Sequence, residues 1–141
     1  MIVSSDFKRT RETAMILHTH LLVKTPLRFE EALRERNFGQ FHMTDGANYE
    51  KIWDQDAVDP SHTNYGNESV IDVALRTSQL VHSLEEEFKD RIILLVAHGD
   101  TLQILSSLFF GTEPNKHRTL PDLDNCEIRA LEYIPREPYT N

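Results

Sequence analysis

Cysteine is nearly absent from this sequence, as are long apolar runs and any excess of basic residues. The single cysteine, Cys126, excludes an internal disulfide and a cysteine-rich zinc site. No apolar run approaches the roughly 20 residues that cross a bilayer, and the first residues lack the basic-then-apolar order of a signal peptide. With 15 Lys and Arg against 23 Asp and Glu, the formal net charge is −8. We therefore expect a cytoplasmic protein that binds neither nucleic acid nor membranes.

Several catalytic signatures are also missing. The sequence has no GxSxG elbow, no GxxxxGK[ST] loop and no GxGxxG fingerprint, so the motifs of serine hydrolases, P-loop enzymes and dinucleotide-binding proteins are absent. The seven histidines include no HExxH pair. His18 and His20 are two residues apart on a predicted helix, so they point to different faces. This pattern predicts no metal site.

The apolar pattern alternates between strand and helix periods. The clearest helix begins with a capping sequence at Ser69, three residues before Asp72. The predicted strands cover 1–4, 27–29, 92–97 and 125–133, and the predicted helices cover 7–23, a short stretch around 49–53, 69–89 and 101–110. Residues 54–67 are predicted as a loop. Because the run 92–97 is apolar on both faces, this order indicates an α/β fold with a largely parallel sheet.

Two basic side chains follow predicted strands at the points where helices begin. Arg9 lies in the first helical turn after strand 1–4, and His98 directly follows strand 92–97. In open α/β sheets, ligands bind beyond the carboxyl ends of the strands, where helix N-termini attract anions. Arg9 and His98 therefore indicate a pocket for a phosphate or oxyanion. The alternatives are a solvated Arg9, a purely structural His98, and an Asp100 that serves only as a helix N-cap.

Glu35 is a candidate general acid. It lies between Arg34 and Arg36, shortly before Phe38. Flanking arginines would lower the pKa of its carboxyl, whereas burial beside Phe38 would raise it, and a general acid needs the raised value. The sequence leaves both outcomes open, and a surface charge cluster is the alternative.

Five segments occur in an order and at spacings that resemble the histidine phosphatase superfamily, which includes the cofactor-dependent phosphoglycerate mutases. These segments are SSDFKRTRETA, LRERNFG, NESVIDVALR, ILLVAHGDTLQIL and LDNCEIRALEY. They are similar to the family's Ser-Ser-x-x-x-Arg segment, its glutamate segment, its Gly-Glu-Ser helix start, its second-histidine strand and its terminal strand. The resemblance extends over nearly all of residues 1–133.

The resemblance implies a three-layer α/β/α sandwich that transfers a phosphoryl group from a small phosphorylated substrate through a phosphohistidine, without metal or cofactor. At matching positions, His98 is the second histidine of the site, Arg9 is its second arginine and Glu35 is the proton donor. The positions implied to contact substrate are Arg36, Gly99 and Asp100.

One family motif has no counterpart in this sequence. The family's nucleophile lies in an Arg-His-Gly segment at the end of its first strand, and none of the seven histidines here follows an arginine. We therefore expect a partial domain over 1–134 that lacks this central strand, a frayed tail over 135–141, and no activity of this chain alone.

The resemblance also bears on the reaction of the full-length parent. The stretch after Gly39 lacks the paired arginines of the mutases, which are isomerases, so we expect the parent to hydrolyse phosphomonoesters. The alternative is a non-catalytic module that binds phosphate ligands or a partner.

Overall fold

The sheet contains three short strands in the computed structural model, which describes residues 1–132. The strands are β1 (Ile2–Ser4), β2 (Arg28–Phe29) and β3 (Leu94–Val96). Both pairings are parallel, and β1 lies in the middle, with Val3 opposite Arg28 on one side and Leu95 on the other. The carboxyl ends of β1 and β3 therefore lie side by side.

Helices connect the strands. The α-helices are α1 (Lys8–His20), α2 (Glu50–Val58), α3 (Val70–Glu87) and α4 (Gly99–Phe109). Short 3-10 helices cover Glu31–Leu33, Gly39–Phe41, Gly46–Asn48 and Pro114–Thr119. Ser69 caps α3 as predicted, because its Oγ accepts a hydrogen bond from the Asp72 amide at 3.1 Å. The predicted α/β fold with a parallel sheet is confirmed.

The apolar core connects the sheet to α3 and α3 to α4. One buried cluster joins β1 to α3 and consists of Val3, Leu33, Leu80 and Leu84. A second cluster joins α3 to α4 and consists of Val70, Val73, Ala74 and Ile104. Each fully buried aliphatic side chain contributes about 1.5–3 kcal/mol through burial. These contacts hold the N-terminus of α4 next to the end of β1.

Two central stretches differ from the expectation. α2 extends to Val58, into the predicted loop, because Ile52 and Asp56 are fully buried on its inner face. The run 92–97 was expected to be buried on both faces, yet the side chains of β3 are only half-buried. Within residues 1–132, β3 lies at the edge of the sheet and pairs with β1 alone, so less of the protein covers it.

The last predicted strand, 125–133, is wrong over 125–132, and Tyr133 lies outside the described residues. The backbone turns at Cys126, which has φ of 64°. The Arg129 guanidinium donates to Glu127 and to the carbonyls of Pro121 and Asp122, which holds the segment in a local turn. The tail predicted over 135–141 also lies outside the described residues.

Candidate active site

His98 connects the ends of the two neighbouring strands. It is the N-cap residue of α4, follows β3 closely, and is 5% exposed. Its Nε2 lies 2.9 Å from the Oγ of Ser5, the residue directly after β1, and the Ser5 amide donates to the Val96 carbonyl at 2.8 Å. The edge of the Phe7 ring packs against the imidazole. The candidate histidine is therefore fixed at the carboxyl edge of the sheet, as the sequence predicts.

Arg9 reaches the same histidine from the first turn of α1. Its Nε and Nη2 lie 3.1 and 2.8 Å from His98 Nδ1. Since a guanidinium has only donors, Nδ1 is an acceptor, and the imidazole proton lies on Nε2 and points to Ser5. Burial and, next, the charge of Arg9 lower the pKa of His98 to about 4. His98 is therefore neutral at neutral pH, and Arg9 supplies the positive charge of this pair.

Glu35 lies at the same helix N-terminus. Its Oε1 accepts from the Thr101 amide at 3.4 Å, the Thr101 hydroxyl at 3.2 Å and the Arg36 amide at 3.0 Å. Thr101 is the third residue of α4, so Glu35 and the N-cap His98 bracket one helical turn. Burial and the nearby negative charge of Asp100 raise the pKa of Glu35, although these three hydrogen bonds oppose the rise.

The flanking arginines do not pair with the Glu35 carboxylate, because each of them binds another carboxylate. Arg34 pairs with Asp6 at 2.8 and 2.6 Å, and Arg36 pairs with Asp56 at 2.6 and 2.7 Å. The effect of burial on the Glu35 carboxyl therefore prevails over that of its neighbours in the chain.

Arg36 does not lie where a substrate contact was expected. Its side chain is fully buried, and besides the bidentate pair with Asp56 it donates to Asp100 at 3.4 Å and to the Glu68 carbonyl at 2.8 Å. Four of the five N–H donors of this enclosed guanidinium are engaged by protein partners. Arg36 therefore supports the segment that carries Glu35, rather than facing a ligand.

Asp100 and Gly99 take different places at the start of α4. The interpretation of Asp100 as a helix N-cap is wrong, because His98 is the N-cap and Asp100 is the second helical residue. Its carboxylate points inward and accepts from Trp53 Nε1 at 3.0 Å and from His117 Nε2 at 3.2 Å. Burial would raise the pKa of Asp100, but the hydrogen bond from His117 and the charge of Arg36 hold it below its usual range. Gly99 lines a pocket described next.

A pocket of about 220 Å³ opens beside Glu35 and Gly99. Its other lining residues are Phe38, Tyr49, Trp53, Asp100, Gln103, Arg118, Asp122 and Leu123. We call it the aromatic pocket. Sequence reasoning did not single out Gln103, Arg118 or Asp122 as site residues, because they come from α4 and from the stretch 118–123, which only the folded chain brings together. The spacing of Tyr49 and Trp53, four residues apart on one helix face, was the available signal.

A model of the histidine phosphatase superfamily, branch 1, matches residues 1–140. The chain belongs to this superfamily. The expected family assignment is thereby confirmed.

Curated members of the superfamily similar to this chain are glucosyl-3-phosphoglycerate phosphatases. The one from Mycobacterium tuberculosis is 35% identical, over 76% of this chain and 52% of its own length. The one from Mycolicibacterium vanbaalenii is 32% identical, over 89% of this chain and 60% of its own length. A solved mycobacterial glucosyl-3-phosphoglycerate phosphatase complexed with VO3 has a TM-score of 0.72 at 29% identity, covering 89% of this chain and 65% of that one. The chain thus spans between half and two thirds of the length of these relatives.

Acidic, cysteine and histidine side chains do not gather into a group of three or more that could hold a metal ion within residues 1–132. In the same part of the chain, no helix combines the length and the apolar character that a membrane span needs.

The neutral state of His98 makes stability depend on pH. Because the unfolded state takes up a proton near pH 6.5 and the folded state only near pH 4, the unfolded state binds more protons between these values. The free energy of unfolding should therefore fall as the pH drops through this window, by at most roughly 3 kcal/mol from this group. Urea unfolding of the wild type and His98→Gln at several pH values measures the difference in slope. His20→Gln, which replaces an exposed histidine far from this contact network, is the matched control for the substitution itself.

Proposed function

We propose that the protein acts on small phosphomonoesters, as a phosphatase of the phosphohistidine type in its full-length form. The proposal rests on one observation. Arg9 contacts His98, the N-cap of α4, and Glu35 contacts Thr101 in the first turn of the same helix. A helix N-terminus offers free N–H groups and a positive dipole end to a phosphoryl group. The phosphatase activity in the names of the relatives supports the same reaction class.

Arg9 and His98 supply donors for the phosphoryl oxygens. A guanidinium has five N–H donors, and Arg9 uses its Nε and Nη2 on His98, which leaves donors for a ligand. His98 adds the Nε2 proton that now points to Ser5. Preorganised donors of this kind stabilise the charge that spreads over the phosphoryl oxygens in the transition state.

Glu35 is the proposed proton donor. All hydrogen bonds given to its carboxylate by residues 1–132 go to Oε1, so Oε2 can hold a proton. When the bond between phosphorus and the ester oxygen breaks, its electron pair stays on that oxygen, and a proton from Glu35 neutralises the leaving group. The raised pKa of Glu35 favours the protonated form that this step requires.

The sequence contains no counterpart of the family's Arg-His-Gly segment, which carries the nucleophile. None of the seven histidines follows an arginine, so we propose that this chain binds phosphomonoesters but forms no phosphohistidine. Incubation with p-nitrophenyl phosphate in the presence of a chelator should give no turnover. Metal-independent turnover that His98→Ala abolishes would contradict this account of the nucleophile.

A binding experiment tests the phosphate pocket itself. Arg9→Ala should weaken the binding of inorganic phosphate about 10-fold or more by titration calorimetry, because a charge-assisted hydrogen bond contributes about 1.5–3 kcal/mol. Arg11→Ala is the matched control, since Arg11 lies on the same helix but over the Phe29 ring. Equal affinity of Arg9→Ala and wild type would refute the pocket and leave a chain that binds no phosphate at this place.

A second candidate is a module that binds phosphate ligands without catalysis, and the Arg9–His98 pair by itself supports it, because binding needs only donors. It predicts the same effect of Arg9→Ala on binding. It differs in the full-length protein, where Glu35→Gln should leave this module's behaviour unchanged but should slow turnover by a phosphatase about 100-fold or more.

A further inference from the structure

The aromatic pocket lies next to Glu35, the proposed proton donor. Glu35 and Gly99 belong both to its wall and to the N-terminal turn of α4. If Glu35 protonates the ester oxygen, the group attached to that oxygen extends from Glu35 into this pocket. Its volume of about 220 Å³ lies below the range of about 300–1,000 Å³ for drug-sized ligands. The pocket therefore matches a single ring rather than a nucleotide or a peptide.

We propose that the aromatic pocket binds an uncharged, sugar-like ring as the leaving group of the phosphomonoester. This inference rests on the proposed function and names the substrate class of that site.

The apolar part of the wall is built from three aromatic rings. Phe38 and Tyr49 stack with centroids 4.0 Å apart and an interplanar angle of 12°, and Trp53 meets both rings by edge contacts at 6.4 and 6.1 Å. The hydrogen bond from Trp53 Nε1 to the buried Asp100 fixes the indole. Aromatic faces are partially negative and attract the polarised C–H groups on the flat side of a sugar ring.

The rim of the aromatic pocket is polar and consists of a guanidinium, an amide and a carboxylate group. The Arg118 guanidinium lies 4.0 Å over the Trp53 ring, pairs with Asp122 Oδ1 at 2.9 Å and donates to Gln103 Oε1. Gln103 Nε2 donates to the same Asp122 oxygen at 3.2 Å. Each hydroxyl of a sugar both donates and accepts, so adjacent amide, guanidinium and carboxylate groups match neighbouring hydroxyls.

The charge of the pocket argues against an anionic leaving group. Within residues 1–132, Arg118 is the single cation among the lining residues, and Asp122 already pairs with it. Glu35 and Asp100 add further carboxyl groups to the wall. A second phosphate or a carboxylate would therefore meet no free positive charge here, whereas an uncharged ring meets no repulsion.

The test measures binding of four phosphates to the 141-residue chain by calorimetry: glucose 6-phosphate, phenyl phosphate, 3-phosphoglycerate and inorganic phosphate. Glucose 6-phosphate should bind about 10-fold more tightly than inorganic phosphate, as expected for one ring stacked on an aromatic wall. Tighter binding of phenyl phosphate or 3-phosphoglycerate would overturn the proposal in favour of an aryl or an anionic leaving group.

Two variants locate the effect. Tyr49→Ala should remove the advantage of glucose 6-phosphate and leave the affinity for inorganic phosphate unchanged. Asp122→Asn, at an exposed position that keeps the fold, should release Arg118 and increase the affinity for 3-phosphoglycerate several-fold. Asp124→Asn, also exposed but outside the pocket, is the matched control. Wild-type selectivity in both Tyr49→Ala and Asp122→Asn would place the sugar elsewhere and overturn the proposal.

A phosphate-free probe separates this inference from the proposed function. Trp53 is the sole tryptophan of the sequence, so its fluorescence reports on the pocket. Methyl glucoside should change this fluorescence equally in the wild type and in Arg9→Ala. If methyl glucoside has an effect but Arg9→Ala binds inorganic phosphate normally, the proposed phosphate site fails and the pocket stands. If methyl glucoside has no effect while Arg9→Ala loses its affinity for inorganic phosphate, only the proposal that the aromatic pocket binds a sugar fails.

Discussion

Arg36→Met should destabilise the protein by about 3–5 kcal/mol, because it leaves two buried carboxylates without their cation. Asp56 and Asp100 are 0% and 4% exposed at their side chains, and Arg36 touches both. Since small domains have about 5–15 kcal/mol of total stability, this change removes a large part of it. Urea unfolding at pH 7, followed by circular dichroism, measures the loss.

Arg28→Met is the control for this experiment, because Arg28 also pairs with two carboxylates, Glu30 and Glu87, but is 33% exposed at its side chain. Exposed pairs contribute about 0–1 kcal/mol. Similar losses in Arg28→Met and Arg36→Met would show that burial of the Arg36 pair has no special weight. Because Glu35 directly precedes Arg36 in the chain, the loss of the Arg36 contacts should also disturb the position of the Glu35 carboxyl.

Gly39→Ala should cost about 3–5 kcal/mol, from backbone strain and overpacking together. Gly39 has φ of +55°, a region that favours glycine. A Cβ there would lie 2.1 Å from the Tyr65 carbonyl oxygen and 2.7 Å from the Asn67 nitrogen. Both are backbone atoms, so a rotamer change cannot relieve the contact. Thermal and urea unfolding measure the effect, and the aromatic pocket, which the preceding Phe38 lines, should be distorted as well.

Two other glycines separate the causes. A Cβ on Gly46 or Gly66 would meet nothing within 4 Å, and only Gly66 has a positive φ, of +70°. Gly46→Ala should change the free energy of unfolding by less than about 0.5 kcal/mol, and Gly66→Ala should cost about 1–2 kcal/mol from its backbone conformation. A Gly39→Ala loss equal to that of Gly66→Ala would rule out the close approach of Tyr65 as a cause.

Local signals in the sequence predicted the elements that contain them. The apolar stripe and the Ser69 cap predicted α3, and the abrupt end of an apolar run predicted His98 at a strand end. The half-buried state of β3 was not predictable, because burial depends on how many strands lie beside it. The run at 125–132 failed for the related reason that alternation alone does not provide a partner strand.

The sequence pattern did not predict the long-range contacts of the site. Arg36 and Asp56 are 20 residues apart, and Asp100 and Trp53 are 47 apart. Charge spacing left a surface cluster open for the Glu35 segment, and the resemblance implied substrate contacts for Arg36 and Asp100, whereas the fold buries both Arg36 and Asp100. The resemblance to a family placed Glu35, but the direction of its pKa followed only from burial and from the partners of Arg34 and Arg36.

The bridge from Ser5 to His98 has a consequence for folding. It joins groups separated by 93 residues, and the Arg9 contact to the same imidazole spans 89. Closing so long a loop is slow compared with forming a helix, so we expect the contacts of His98 with Ser5 and Arg9 to form late in folding. A phosphate ester that binds at the proposed site of Arg9 and His98 should bind only the native chain and stabilise it by mass action. A rise in melting temperature with each added phosphate ester would therefore rank the esters directly, without any turnover.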